Sequence, residues 1–195
     1  MIYLASQSPR RRELLDQIKI NYQTIIVTID ETPLVHELPQ DYVYRLALAK
    51  AQAGYLALST TTAPVLGADT IIICNNQILG KPKSKADAEK MLQTLAGRSH
   101  QVMTAVAVVT QSQKSNKLLE IKRLNTSTVY FRPLNSAEIA AYVATGEPLD
   151  KAGSYAIQGL ASIFIERIEG SYSGVMGLPL YETAQILAKI GITLF

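Results

Sequence analysis

The chain has 195 residues, 48% of them hydrophobic and 18% charged, which suits one large domain, or a domain with a lobe, and supports a sizeable core rather than disorder. A net charge of +3 is too mild to argue for nucleic-acid binding by itself. No window approaches the about 18 uninterrupted apolar residues of a membrane helix. The single cysteine, Cys74, has no partner for an internal disulfide, and Ser6 to Glu13 interrupts any apolar run of the secretory-signal kind; a reducing cytoplasm fits both observations.

Ile2 to Ala5 reads as a short apolar strand that passes through the polar turn Ser6 to Ser8 into a helix over Pro9 to Gln17. Ser8 suits its N-cap and Pro9 its first position. Arg10, Arg11 and Arg12 then put three cations in a first turn whose dipole prefers negative charge. Two readings are open: a solvated basic helix start, or an anion site. The second would use backbone N–H groups, the hydroxyls of Ser6 and Ser8, and the guanidinium forks.

Thr24 to Val27 is expected as a second strand. A polar loop with Asp30, Glu31, Pro33 and Pro39 follows, and its acidic pair is either a solvated turn or part of a site. Asp41 to about Leu58 is expected as a helix with Val43, Leu46, Ala47, Ala51 and Gly54 on its buried face. Lys50 lies on the same face; it either snorkels to water or points at a fixed anion.

Ala63 to Leu66 runs as a buried strand into Gly67-Ala68-Asp69-Thr70, continues to Ile73, turns at Asn75-Asn76 and returns over Gln77 to Leu79. Asp69 thus falls between two apolar runs, where a carboxylate is either hydrogen-bonded structure or a working group, because an unpaired buried charge costs too much. Gly67 leaves the backbone room for a close ligand. Lys81, between Gly80 and Pro82, is stiffly presented.

Ser84 to Leu95 is a helix, with Ser84 and Asp87 approximating a capping box, Ala88, Met91, Leu92 and Leu95 as its buried stripe, and Gly97 just past its end. His100 to Thr110 is a long strand with Val102, Thr104, Val106 and Val108 on one side. His100 reads as a structural histidine at the strand start. Two histidines and one cysteine do not make an ordinary zinc site without carboxylates. Gln111 to Asn116 is a polar loop, and Leu118 to Ile121 and Thr126 to Phe131 are two further strands. Ser136 to Ala144 is a helix stopped by Gly146. The loop Glu147 to Gly159 carries Asp150, Lys151, Tyr155 and Gln158, a density of charge and glycine typical of functional loops. Ile163 to Ile168 is a strand, Gly170 to Gly177 is flexible, and a final helix starts at Pro179 with Leu180, Thr183, Ala184, Leu187 and Ile190 inward. This succession predicts an α/β fold with a long mixed β-sheet flanked by helices, as one domain over residues 1–195.

Five stretches carry a resemblance: Leu4-Ala5-Ser6-Gln7-Ser8-Pro9-Arg10-Arg11 with Glu13-Leu14-Leu15; Gly67-Ala68-Asp69-Thr70; Gly80-Lys81-Pro82; Glu147-Pro148-Leu149-Asp150-Lys151-Ala152-Gly153 through Gln158-Gly159; and Gly177-Leu178-Pro179-Leu180. In this order and spacing they resemble the Maf family of nucleoside triphosphate pyrophosphatases, over essentially the whole chain. The resemblance implies two lobes around a cleft and a fold similar to the inosine triphosphate pyrophosphatases. It implies hydrolysis of a nucleoside triphosphate to the monophosphate and pyrophosphate. Asp69 is then the proton acceptor, and Lys50 lies beside substrate phosphate. The residue inventory adds Ser6, Ser8, Arg11 and Lys81 as phosphate-binding groups and Glu31 and Asp69 as the candidate carboxylates for a divalent cation (Mg²⁺ or Mn²⁺), with Asp69 as base, metal ligand or both left open.

The inventory is chemically apt. A nucleoside triphosphate carries roughly four negative charges at neutral pH and needs fixed cations and N–H donors, while its metal prefers carboxylates. Three positions separate subgroups of the family, and here they are Arg10, Thr70 and Gln158. That combination resembles the members acting on dTTP and UTP; those acting on 7-methylguanosine triphosphate carry Trp, Gln and Glu there. An amide at Gln158 can donate and accept at once, which suits the acceptor–donor–acceptor edge of uracil and thymine. The alternatives are a pyrophosphatase for 7-methylguanosine or inosine/xanthosine triphosphate, or a non-enzymatic regulator of septum formation, whose only support is the triple arginine. The expected partner is a small-molecule nucleotide, with neither nucleic acid nor membrane; a homodimer suits an enzyme of this size.

Overall fold

The computed structural model describes residues 1–58, 63–112 and 117–194. Its strands are β1 (Ile2–Leu4), β2 (Tyr22–Thr24), β3 (Val65–Cys74), β4 (Gln77–Leu79), β5 (Ser99–Gln111), β6 (Leu118–Phe131) and β7 (Ile165–Glu169). Its helices are α1 (Pro9–Gln17), α2 (Pro39–Ala57), α3 (Lys85–Leu95), α4 (Ser136–Ala144), α5 (Tyr172–Met176) and α6 (Leu180–Lys189). The fold is α/β, with the strands in one seven-stranded sheet in the order β2-β1-β3-β5-β6-β7 and β4 paired to β3. The sheet is mixed: β1 runs parallel to β2 and β3, while β3–β4 and β6–β7 are antiparallel. Among the described residues, no helix is long and apolar enough to cross a membrane.

The chain divides into two compact units. One comprises Met1–Asp69, Thr104–Asn125 and Gly177–Phe195; the other comprises Thr70–Met103 and Thr126–Met176. In the first unit, α2 buries the expected face of Val43, Leu46, Ala47, Ala51 and Gly54. Two glycines let it lie flush on the sheet. A Cβ at Gly54 would come within 2.9 Å of Val65 Cγ1 and 3.1 Å of Ala5 Cβ. One at Gly67 would come within 2.4 Å of the Ala47 carbonyl oxygen and 2.6 Å of the Ala51 nitrogen. Gly67 therefore serves the approach of a helix backbone, where the sequence had suggested a ligand.

The second unit has its own core. Ile72, Leu92, Leu95, Val102, Phe131 and Phe164 are among the buried residues of one cluster. α3 is capped by Ser84, whose Oγ accepts from the Asp87 N–H at 3.1 Å, but Asp87 reaches back to the N–H of Lys83 rather than that of Ser84. Gly97 takes the left-handed conformation, φ +66°, just past the C-cap. His100 is buried and its Nε2 meets Tyr155 Oη at 2.7 Å, between edge-on contacts to Phe131 and Tyr155.

Several boundaries differ from the sequence reading. The second strand is Tyr22–Thr24, because a three-residue β1 pairs Ile2 with Tyr22 and Leu4 with Thr24, and Ile26 is exposed. α2 starts two residues early, since Pro39 takes the first helical position where no N–H is needed. β6 is a single strand of 14 residues in place of two: Lys122 to Asn125 contain no glycine or proline to break it, and β5 offers a neighbour of 13 residues. Glu147 to Phe164 winds into three short 3₁₀ turns, and β7 starts only at Ile165. The segment read as flexible contains α5, with Ser171 Oγ accepting from the Gly174 N–H at 3.0 Å. On α6 the buried positions are Thr183, Ile186 and Leu187; Leu180, Ala184 and Ile190 are only partly covered. Most of the expected loop at 111–116 lies outside the described residues.

Candidate active site

β3 carries Gly67 and Asp69 on the same face, because side-chain positions alternate along a strand. Gly67 fixes α2 against that face at Ala47 and Ala51, so Lys50 stands beside Asp69. Lys50 Nζ lies 2.6 Å from Asp69 Oδ1 and 2.7 Å from Glu31 Oε1. The lysine does not snorkel to water; it gathers two carboxylates from distant parts of the sequence. Asp69 is only 8% exposed. Burial pushes its pKa above the ordinary carboxylate value, and the Lys50 and Arg11 cations pull it back. A carboxylate held between those opposing effects is suited to taking up a proton.

Arg11 comes from the first turn of α1. Its Nε donates to the Gly177 carbonyl at 2.8 Å, and its Nη1 donates to Ser6 Oγ at 3.1 Å. Enclosure of the guanidinium lowers its pKa, and Asp69 opposes that effect. Ser8 precedes α1 as expected but makes no side-chain cap; its own N–H donates to Ser6 Oγ at 3.2 Å. Ser6 therefore organises the turn, accepting from both backbone and arginine. Arg10 is half-buried on α1.

The loop carrying Glu31 is held by residues to which sequence reasoning gave no role. Tyr42 Oη donates to the Glu31 carbonyl at 2.8 Å, and Arg45 Nη2 donates to the Thr32 carbonyl at 3.0 Å. Arg45 also forms a two-point pair with Glu37, at 2.6 and 2.7 Å, and holds that carboxyl down at about 2. Leu34 and Val35 of the loop are 60% and 87% exposed, so apolar burial does not anchor it. The available sequence signal was a tyrosine and an arginine at i, i+3 on the helix following an acidic loop, and neither member names its partner.

In the second unit, Thr70 is half-buried on the β3 face opposite Asp69, Lys81 is exposed after β4, and Gln158 is exposed in the turn between the second and third 3₁₀ turns. The Gly80 carbonyl, next to Lys81, accepts from the Gly153 N–H at 3.0 Å.

Among the described residues, no three His, Cys, Asp or Glu side chains gather as a metal cage. Two carboxylate oxygens, Glu31 Oε1 and Asp69 Oδ1, do converge on the one ammonium of Lys50. One or two carboxylates completed by water and substrate phosphate are what Mg²⁺ ordinarily takes from a protein, so this donor set fits such an ion.

An α/β chain with a buried carboxylate between two apolar runs of one strand, bracketed by a lysine and an arginine, has the charges to hold an anion and a group able to take up a proton. The chain belongs to the Maf-like protein family, whose family model matches residues 1–190. It is 49% identical to a dTTP/UTP pyrophosphatase of Nitrosomonas europaea, over 100% of this chain and 96% of the relative. It is 50% identical to a dTTP/UTP pyrophosphatase of Alkalilimnicola ehrlichii, over 98% and 93%, and to one of Shewanella oneidensis, over 98% of each chain.

Proposed function

We propose that this chain is a nucleoside triphosphate pyrophosphatase acting on dTTP and UTP. The observation that carries the reading is the near 50% identity, over 98–100% of this chain and 93–98% of the relatives, to proteins named for that activity. The reaction adds water across the α–β phosphoanhydride. A water oxygen bonds to the α-phosphorus, the bond from that phosphorus to the bridging oxygen breaks, and pyrophosphate leaves.

Asp69 is the group we assign to accept the proton of the attacking water. Its burial and raised pKa support that role, because a carboxylate of ordinary pKa is a weak base near neutrality. Lys50 holds Asp69 Oδ1 and so orients the carboxylate. Ser6, Ser8, Arg11, Lys50 and Lys81 are assigned to the phosphates, where fixed donors offset charge without reorganising during the reaction. Glu31 and Asp69 would hold a Mg²⁺ or Mn²⁺ ion, whose charge would offset that of the phosphates. Arg10, Thr70 and Gln158 are assigned to the base. A nucleotide-pool enzyme belongs in the cytoplasm, and the buried, unpaired Cys74 suits a reducing compartment. The whole chain acts as one Maf-like domain in this reading.

The test is a panel of triphosphates (dTTP, UTP, the other common nucleotides, 7-methylguanosine, inosine and xanthosine triphosphates), with product identification. Thymidine and uridine monophosphate in equal amounts with pyrophosphate are expected. Orthophosphate with a diphosphate, or a preference for the methylated guanine or inosine nucleotide, would overturn the proposal.

A further inference from the structure

Glu147 has both carboxylate oxygens engaged. Tyr142 Oη donates to Oε1 at 2.9 Å, and the Leu160 N–H donates to Oε2 at 3.0 Å. Tyr142 is itself buried on α4, with its ring edge-on to Phe164 at 5.2 Å, so one oxygen is tied to the core of this unit. The other oxygen is tied to the chain just beyond Gln158. Gly159 passes directly over this carboxylate: a Cβ there would lie 2.3 Å from Glu147 Oε1 and 2.6 Å from its Cδ. The Gly159 N–H donates to the Ala156 carbonyl at 3.1 Å, and the Gly159 carbonyl accepts from the Ser162 N–H at 3.1 Å. The backbone on the C-terminal side of Gln158 is therefore clamped onto Glu147, while the Gln158 side chain is exposed.

We propose that Glu147 is a positioning residue for base discrimination, acting through Gln158 as the staple that fixes the direction from which the amide is presented. The proposal rests on the assignment of Gln158 to the base. An amide donates at one end and accepts at the other. The backbone at its Cα sets the position and direction from which it reaches a base, so an amide on a fixed backbone selects a base edge more sharply than one on a mobile loop. Loss of the staple relaxes the choice of base without removing Asp69 or the phosphate-binding groups. The Glu147–Tyr142 pair thus links the discriminating loop to a packed helix, and Gly159 is the residue that lets the loop come close enough.

The test compares kcat/KM for dTTP with kcat/KM for GTP, whose guanine edge offers adjacent donors. The variants are Gln158→Ala, Glu147→Ala, Glu147→Gln, Gly159→Ala, Tyr142→Phe and the double Glu147→Ala/Gln158→Ala. Thermal unfolding shows which of them are folded. Glu147→Ala and Gly159→Ala are expected to lower the dTTP/GTP ratio by roughly tenfold, the scale of one mispaired polar contact in a site. Tyr142→Phe and Glu147→Gln, which keep part of the staple, are expected to lower it less. The double variant is expected to discriminate no worse than Gln158→Ala alone, because the staple acts through that side chain.

If Gln158→Ala changes the ratio but folded Gly159→Ala and Tyr142→Phe stay within twofold of the unaltered protein, the positioning role falls and the base assignment stands. If Gln158→Ala itself leaves the ratio unchanged, both fall. A further loss in the double variant, beyond Gln158→Ala, would also overturn the proposal.

Discussion

Lys50 donates to Asp69 Oδ1 at 2.6 Å across 19 residues of sequence, joining the middle of α2 to the middle of β3. Asp69 is buried, so the nearby ammonium does much to keep it ionised. Lys50→Met is expected to raise the pKa of Asp69 further. The acidic limb of the pH profile of kcat/KM should then move to higher pH by on the order of one unit, since an adjacent opposite charge shifts a carboxylate by about that much or more. Lys50→Arg should leave the limb close to its original position. Profiles with superimposable acidic limbs in all three proteins would separate this pair from the chemistry.

Asp69→Asn keeps the shape of the side chain and removes the charge and the group proposed as the base. Steady-state turnover of dTTP is expected to fall by ~10²–10⁴. The melting temperature should fall little, because the exchange leaves no buried unpaired carboxylate. Near-normal turnover in this variant would transfer the proton-accepting role elsewhere, with Glu31, on the same lysine, the first candidate.

Gly67→Ala tests how α2 is seated. The added methyl would meet the Ala47 carbonyl oxygen at 2.4 Å and the Ala51 nitrogen at 2.6 Å, and helix backbone has little freedom to move aside. Overpacking of this kind costs about 1–3 kcal/mol. Chemical denaturation should show a loss in that range, with reduced activity because Lys50 moves with the helix. Gly80→Ala is the matching control: its Cβ would meet nothing within 4 Å, and its denaturation midpoint should barely change.

His100 is one contributor to the pH dependence of stability. Burial lowers its pKa from 6.5 to about 4. Between those two values the unfolded chain binds a proton that the folded chain does not, so stability rises with pH across the window and is lost as the solution is acidified from 6.5 towards 4. The full effect of this one group is on the order of 3 kcal/mol. His100→Gln retains a nitrogen able to reach Tyr155 Oη and does not titrate. Denaturation midpoints measured across this window should fall less steeply in the variant. Parallel curves for the two proteins would remove the histidine from the account.

Some of this was legible from the residues alone. The buried face of α2, the stripe of α3 apart from the partly covered Met91, and the left-handed glycine after it follow from periods and caps that a single segment carries. So does Asp69 as a carboxylate between two apolar runs, because apolar neighbours along a strand predict burial whatever the strand packs on. What the sequence could not supply was the partner of each charged group. Lys50 had open choices of water, phosphate or carboxylate, and only the close seating of α2 on Gly67 brings it to Asp69. Glu37 and Arg45, or Glu147 and the Leu160 N–H, pair across turns whose path depends on what the rest of the unit packs against. The extents of β2 and β6 were likewise set by the strands beside them, since a ladder ends where its partner ends. Periodicity records how deeply a residue is buried within its own element; which distant residue it meets depends on how the elements pack, and only the tertiary structure decides that.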